Sequence, residues 1–215
     1  MAVLKAILWD NDGVLVDTEG LYFQAGQEVL ETQGVVLTKE RFIEQSLKKG
    51  ESVFDLLPNQ NKDYVDQLRV TRNARYSALL GEGVEVLDGV VETLEALQGR
   101  VHMGVVTGSR RTHFDIIHGQ TDLMRFFEFV LAREDYDLSK PHPDAYLKAM
   151  DLHNWTPDEC VVVEDSERGC AAAAAAGLRV FVVPNELSEH GDFSPAYKVL
   201  GSVRDVVDEV GKLLN

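Results

Sequence analysis

Val3-Leu4-Lys5-Ala6-Ile7-Leu8-Trp9-Asp10-Asn11-Asp12-Gly13-Val14-Leu15-Val16-Asp17-Thr18 is the stretch that decides how this chain is read. Its first half, Val3 to Trp9, is a near-continuous apolar run, the pattern of a strand buried on both faces of a parallel sheet. The run stops at two carboxylates and a glycine. Ligands of open α/β sheets bind just beyond the carboxyl ends of strands, and Asp10 and Asp12 stand at such an end. Carboxylates two residues apart repel, and a cation or a shared proton relieves the repulsion. Mg2+ suits them best, as a hard ion that takes carboxylate and phosphate oxygen. A strand followed by an Asn-Asp-Gly turn would carry the same letters. On this stretch alone, turn and acidic site are equal readings.

Beyond it the texture changes. Residues 18 to about 85 offer no strand. Leu21, Phe23, Ala25, Val29 and Leu30 form a helical stripe that ends near Gly34. Thr38-Lys39-Glu40-Arg41 starts a second helix with Phe42, Ile43 and Leu47 inward, broken at Lys48-Lys49-Gly50-Glu51-Ser52. Val53, Leu56 and Leu57 lead to a stop at Pro58-Asn59, and residues 63–80 read as a long helix with Tyr64, Leu68, Tyr76 and Leu79 on its apolar side. Helices placed between a strand and the helix that should follow it read as an inserted cap, with Gly81-Glu82-Gly83 as the return hinge.

From Val84 onward strands and helices alternate. The pattern predicts helices over residues 89–97, 110–118, 143–152, 167–176 and 203–214, and strands over 101–107, 129–131, 160–163 and 180–183. Such alternation implies βαβ units and a parallel sheet. The expected architecture is α/β, a core of residues 1–16 and 84–215 with a helical cap of residues 17–83. The alanine run 171–176 fits a helix lying close on the sheet.

Composition narrows the function. A chain of 215 residues can bury a sizeable core. The formal net charge of -15 argues against non-specific binding to nucleic acid or anionic membranes. An anionic substrate would then need a local positive site. Cys160 and Cys170 sit in apolar or alanine-rich settings and read as small buried residues in a reducing compartment. No apolar run approaches a membrane span and no signal-peptide core is visible, so a cytoplasmic protein is expected, with a monomer as the default.

Three further strand ends carry chemistry. Thr107-Gly108-Ser109 offers a hydroxyl, a flexible glycine and amides that open a helix, which suits an anion; the same residues also serve simply as helix caps. Lys140 lies in Ser139-Lys140-Pro141-His142-Pro143-Asp144, fixed between a turn and a proline where a surface lysine would merely be solvated. His142 reads as a helix-start residue. Glu164-Asp165-Ser166 places adjacent acids at a strand's carboxyl end, where they read as metal ligands, directly or through water.

The order Asp10-Asn11-Asp12-Gly13-Val14-Leu15-Val16-Asp17-Thr18-Glu19, Thr107, Lys140-Pro141 and Val163-Glu164-Asp165-Ser166 with Gly169 resembles the four motifs of the haloacid dehalogenase-like superfamily. More narrowly, it resembles the branch with a helical cap after the first strand. Single motifs are weak signals, whereas four in order and spacing are strong. The resemblance covers the core throughout, and the cap only in position and helical character. It implies a Rossmann-like sheet with Asp10 as nucleophile and Asp12 as general acid/base. It further implies Thr107 as the phosphoryl-binding hydroxyl, with help from Gly108 and Ser109, and Lys140 as the charge that neutralises nucleophile and phosphate. Mg2+ would be held by Asp10, the Asp12 carbonyl, and Asp165 with Glu164. Asn11 departs from the family, where this position is usually apolar; its side chain is expected to point away from the nucleophile.

The activity so implied is Mg2+-dependent hydrolysis of a small phosphate monoester through an aspartyl-phosphate. Asp12 argues against dehalogenase and phosphonate-cleaving relatives, which protonate no ester oxygen and lack the second aspartate. The main alternative is a β-phosphoglucomutase-like sugar-phosphate mutase. Those enzymes carry a cap His where this chain has Tyr22 and an Arg where it has Val53. Lys48 and Lys49 would only partly replace them. A non-catalytic binder of phosphorylated ligands is a further alternative. The leaving group would be read by the cap, with Tyr22, Lys49, Gly50 and Ser52 as candidate contacts. They suit a sugar phosphate or phosphoglycolate, and no aromatic sandwich for a nucleobase is visible.

Overall fold

The computed structural model describes residues 3–214, so the expected outer bounds of the core, 1 and 215, lie outside the described residues. In chain order the elements begin with β1 (Ala6–Trp9), β2 (Val16–Asp17) and α1 (Glu19–Glu31). There follow α2 (Lys39–Phe42), α3 (Lys62–Glu82), β3 (Glu85–Val86), α4 (Val90–Leu97) and β4 (His102–Val106). Then come α5 (Arg111–His118), β5 (Phe129–Leu131), α6 (Asp144–His153) and β6 (Cys160–Glu164). The chain closes with α7 (Glu167–Ala175), β7 (Arg179–Val182), β8 (Lys198–Val199) and α8 (Asp205–Leu213).

The main sheet has the order β5-β4-β1-β6-β7-β8 and is parallel throughout. Side chains alternate across its pleat. Ile7, Trp9, Met103, Val105, Val161, Val163 and Phe181 pack on one face with α4, α5 and α8. Ala6, Leu8, Val106, Cys160, Val162, Val180 and Val182 pack on the other with α6 and α7. Burial on both faces explains the unbroken apolar runs in the sequence. Ala172, Ala173 and Ala176 bring α7 close to the sheet, as expected. Both cysteines are free and buried, and burial pushes their thiols up, Cys160 to about 12 and Cys170 to about 11.

Strand β1 is central, and the strand order reverses between β1 and β6. Such a switch point opens a crevice at the carboxyl ends of the strands. There the chain leaves β1, turns back on itself and pairs Val16 with Val86 in the short antiparallel ribbon β2–β3. This ribbon and Gly83 (φ 140) form the neck of the helical insertion.

The insertion has its own apolar cluster, centred on Leu30, Leu37, Phe42 and Phe54. Helices α1 and α3 also reach the main core through Ala25, Tyr76, Leu79 and Leu80. Besides the β2–β3 ribbon, which is too short to show a pattern in the sequence, two local details differ from the expected pattern. The second helix is one α-turn, capped by Thr38, that widens into a π-turn over Ile43–Lys48. Strand β8 was not expected, because Lys198 and Val199 are both exposed and carry no buried apolar signal. Among the described residues, no helix is long and apolar enough to cross a membrane.

Candidate active site

Three strands deliver the acidic and hydroxyl groups side by side. The Asp10 amide donates to Val163 O and the Thr107 amide to Leu131 O, so each residue continues its strand by one step. After Asp10 the chain wraps around one carbonyl: Asn11 O accepts the amides of Val14, Leu15 and Val16. This tight loop needs Gly13, whose φ is +76 and where a Cβ would stand 2.4 Å from Asp165 Oδ2.

Lys140 enters from the loop after β5. Its loop is tied to α6 by Asp144, whose carboxylate accepts the amides of Asp137 (2.7 Å) and Leu138 (2.9 Å). The ammonium is buried and donates to Asp10 Oδ1 (2.9 Å), Glu164 Oε1 (2.7 Å) and Val106 O (3.0 Å). Burial opposes the charge on Lys140, yet Asp10 and Glu164 hold its pKa well above the ordinary lysine value. Burial and the neighbouring Glu164 push Asp10 up to about 7, against the pull of Lys140.

Glu164 is wholly buried and faces Lys140 rather than the cavity. Oε1 also accepts from Tyr146 Oη (2.8 Å), and Oε2 accepts from the Asp165 amide (3.2 Å) and Ser166 Oγ (3.0 Å). It packs against Gly169, where no side chain would fit. Asp165 points the other way and accepts from Asn185 Nδ2 (2.8 Å). The Asp12 carboxylate is aimed by three hydroxyls: Thr18 (2.5 Å), Ser109 (2.8 Å) and Thr107 (3.2 Å). Tyr136 Oη donates to Thr107 O (2.9 Å) and fixes that strand end.

Carboxylate oxygens of Asp10, Glu164 and Asp165 lie within 4.8 Å of one another. Burial, then Glu19, Glu164 and Asp10, drive the Asp165 pKa well above the carboxylate range. Glu19 adds a carboxyl whose Oε2 is buried without a protein partner, pushed up to about 8 by burial and by Asp12 and Asp10. One lysine does not balance this many acids. An all-oxygen set with excess negative charge fits a hard divalent cation.

Sheet and insertion together enclose a cavity of about 500 Å³. Asp10, Asp12, Lys140, Asp165, Gly108 and Ser109 line it from the core, and Tyr22, Gly50 and Ser52 line it from the insertion. Thr107 and Glu164 lie just behind this lining. Lys49 is not brought to the cavity; its Nζ lies 3.4 Å from Glu44 on the surface. The residues that sequence reasoning missed are mostly cationic. Arg72, Arg110, Arg133 and Arg168 line the cavity. Among the described residues, none of the four has a carboxylate within ion-pair distance, whereas Arg69, Arg75, Arg111, Arg125 and Arg204 elsewhere are paired. The local positive site that the net charge demands is therefore present. Only Arg168 had a sequence signal, its place two residues after Ser166.

A buried carboxylate paired with a lysine, flanked by hydroxyl donors at a switch point of a parallel sheet and roofed by a helical insertion, has the make-up of an enzyme active site. A family model described as haloacid dehalogenase-like hydrolase matches residues 7–183, and the chain belongs to that family. It is 30% identical over 208 residues to protein CbbY of Rhodobacter capsulatus, covering 90% of this chain and 91% of that protein. It is 27% identical over 191 residues to a phosphorylated carbohydrates phosphatase of Thermotoga maritima, covering 86% and 88%. A mutant CbbY of Rhodobacter sphaeroides, crystallised with xylulose-1,5-bisphosphate, superposes with a TM-score of 0.81 at 25% identity, covering 94% of this chain and 96% of that one.

Proposed function

We propose that this chain is a Mg2+-dependent phosphatase of small sugar phosphates, acting in the cytoplasm through an aspartyl-phosphate on Asp10. The observation that carries this reading is the pairing of two acids in different settings. Asp10 is held by Lys140 at the base of the cavity, while Asp12 is aimed at the same cavity by three hydroxyls. Asp10 Oδ attacks phosphorus and the bond to the leaving alcohol breaks, with Asp12 giving its proton to the alcohol oxygen. Asp12 then takes a proton from the water that attacks the aspartyl-phosphate, releasing inorganic phosphate and restoring Asp10. When substrate binds, Thr107 and Ser109 turn their hydroxyls from Asp12 to the phosphoryl oxygens beside the amides near Gly108. Thr18 keeps Asp12 aimed and the Lys140 charge acts from behind Asp10, so catalysis is mostly positioning and electrostatics.

Asp10 and Asp165 are the residues to hold the metal, with the Asp12 carbonyl, and Glu164 supports them from behind by holding Lys140. A bound Mg2+ supplies neutralisation of the phosphoryl charge. Residues 17–83 act as a cap over the core and exclude water.

The sugar-phosphate substrate is supported by the relatives, one named for phosphorylated carbohydrates and one crystallised with a sugar bisphosphate. Arg72 and Arg110, which line the cavity and have no carboxylate within ion-pair distance, suit a substrate that carries a second acidic group. Arg72 also supplies a cation that a mutase would use, although Tyr22 and Val53 stand where mutases carry His and Arg. Product analysis decides between the two. Stoichiometric, Mg2+-dependent phosphate release from a panel of sugar mono- and bisphosphates, abolished in Asp10→Asn, supports the phosphatase. Isomer formation primed by a bisphosphate overturns it.

A further inference from the structure

Arg168 stands on the first turn of α7, in the core, yet its guanidinium spans to the insertion. Nη2 donates to the backbone carbonyl of Lys140, and Nη1 lies 3.5 Å from Ser46 O in the π-turn of the insertion. The π-turn leaves that carbonyl available. Lys49 N–H goes to Glu44 O and Glu51 N–H goes to Gln45 O, so the chain bypasses Ser46 before turning at Gly50. Gly50 (φ +68) lies flat against the guanidinium, and a Cβ there would stand 2.7 Å from Arg168 Nε and Cζ. Nε itself is buried without a partner under this contact.

We propose that Arg168 is a positioning residue that couples closure of the helical insertion to the catalytic lysine. The proposal rests on the phosphatase reading above and adds to it. One side of the guanidinium holds the Lys140 backbone, and Lys140 Nζ holds Asp10. The other side is held only while Ser46 and Gly50 lie over it. When the insertion lifts, Arg168 loses an acceptor and its cover, Nε gains water, and the side chain is free to leave Lys140 O. The nucleophile is then fully supported only beneath a closed roof. π-turns recur at functional sites, and here the π-turn presents the acceptor that completes the contact.

The test compares wild type with Arg168→Ala, Arg168→Lys and Gly50→Ala, using the sugar phosphate that wild type hydrolyses fastest. A lost charge-assisted contact predicts a fall in kcat of about 10- to 100-fold in Arg168→Ala, with KM changed less than about threefold. Added guanidinium ion should restore part of the kcat of Arg168→Ala, and Arg168→Lys should not regain wild-type rate because it cannot span both carbonyls. Gly50→Ala, which displaces an intact Arg168, should lower kcat in the same way. Amide exchange over residues 43–52 should quicken in Arg168→Ala while exchange in β1 and β6 stays unchanged. Unchanged kcat overturns the proposal, as does a kcat loss that guanidinium does not restore and that follows a general loss of stability. A wild-type chain that hydrolyses nothing in the panel would contradict the phosphatase reading instead, and the exchange measurement would still decide whether Arg168 holds the insertion closed.

Discussion

Gly169→Ala puts the support of Lys140 under the sharpest test. Gly169 is helical and its substitution would ordinarily stabilise α7 by about 1 kcal/mol. Here the added Cβ would stand 1.9 Å from Glu164 Cδ and Oε1 and 2.1 Å from Oε2. Glu164 cannot step aside cheaply, because it is wholly buried and both oxygens are engaged, by Lys140 and Tyr146 on one and by Asp165 N–H and Ser166 on the other. Overpacking costs about 1–3 kcal/mol, and each displaced hydrogen bond to the charged carboxylate adds about 1.5–3 kcal/mol. With one hydrogen bond displaced, and set against the gain in helix propensity, the net loss is about 1.5–5 kcal/mol. The assay is urea unfolding, with a lower midpoint at unchanged slope. The same substitution in a Glu164→Ala background supplies the second half of a double-mutant cycle. There the clash is gone, and Gly169→Ala should be neutral or stabilising by up to about 1 kcal/mol. An equal cost in both backgrounds, or a stabilised single variant, would refute the assignment of Glu164 as the packed support of Lys140.

Three other outcomes follow from the same geometry. Lys140→Met leaves Asp10 and Glu164 buried without a cation and should cost about 3–5 kcal/mol in urea unfolding, besides abolishing phosphate release; a loss under about 1 kcal/mol would show that the carboxylates find other partners. His118, which bonds Asn11 Oδ1 through Nε2 (2.7 Å), is depressed to about 4 by burial. A depressed base adds stability that is present above its unfolded value of about 6.5 and is lost as pH falls through the folded one, so wild type should lose about 2–3 kcal/mol more than His118→Gln between pH 7 and pH 4. Mg2+ should raise the thermal midpoint of wild type and have much less effect on Asp165→Asn, since ligand binding stabilises by mass action only where the site exists; equal shifts in both would remove Asp165 from the metal site.

Much of the core was legible because its signals are local. A parallel strand buried on both faces writes itself as an apolar run; β4, β6 and β7 were readable within one residue of either end, and β1 to its last residue, although it starts three residues later than the apolar run. The residues that end these strands, Asp10, Thr107 and Asp165, were readable for the same reason. Strand β8 was not, because an exposed two-residue edge has no pattern to show. Two of the cavity arginines, Arg72 and Arg133, were invisible in the sequence, since they are remote from every motif and resemble solvated charges until the fold brings them together. Tyr146 gave no hint either, as one tyrosine on an amphipathic helix reads as core. Lys49 shows the reverse error: a lysine beside a glycine turn was a reasonable candidate for the site, but the π-turn carries it outward to Glu44. Asn11, odd in a family position that is usually apolar, gains its meaning only from His118, far along the chain.

The central claim is that Asp10 carries the phosphoryl group. It is tested most directly by quenching the enzyme in acid during turnover of its best substrate and measuring the masses of its peptides. The account predicts a phosphate ester on the peptide that contains Asp10, formed before the release of inorganic phosphate and absent in Asp10→Asn. Turnover with no covalent species, or with the phosphate on a different residue, would contradict it.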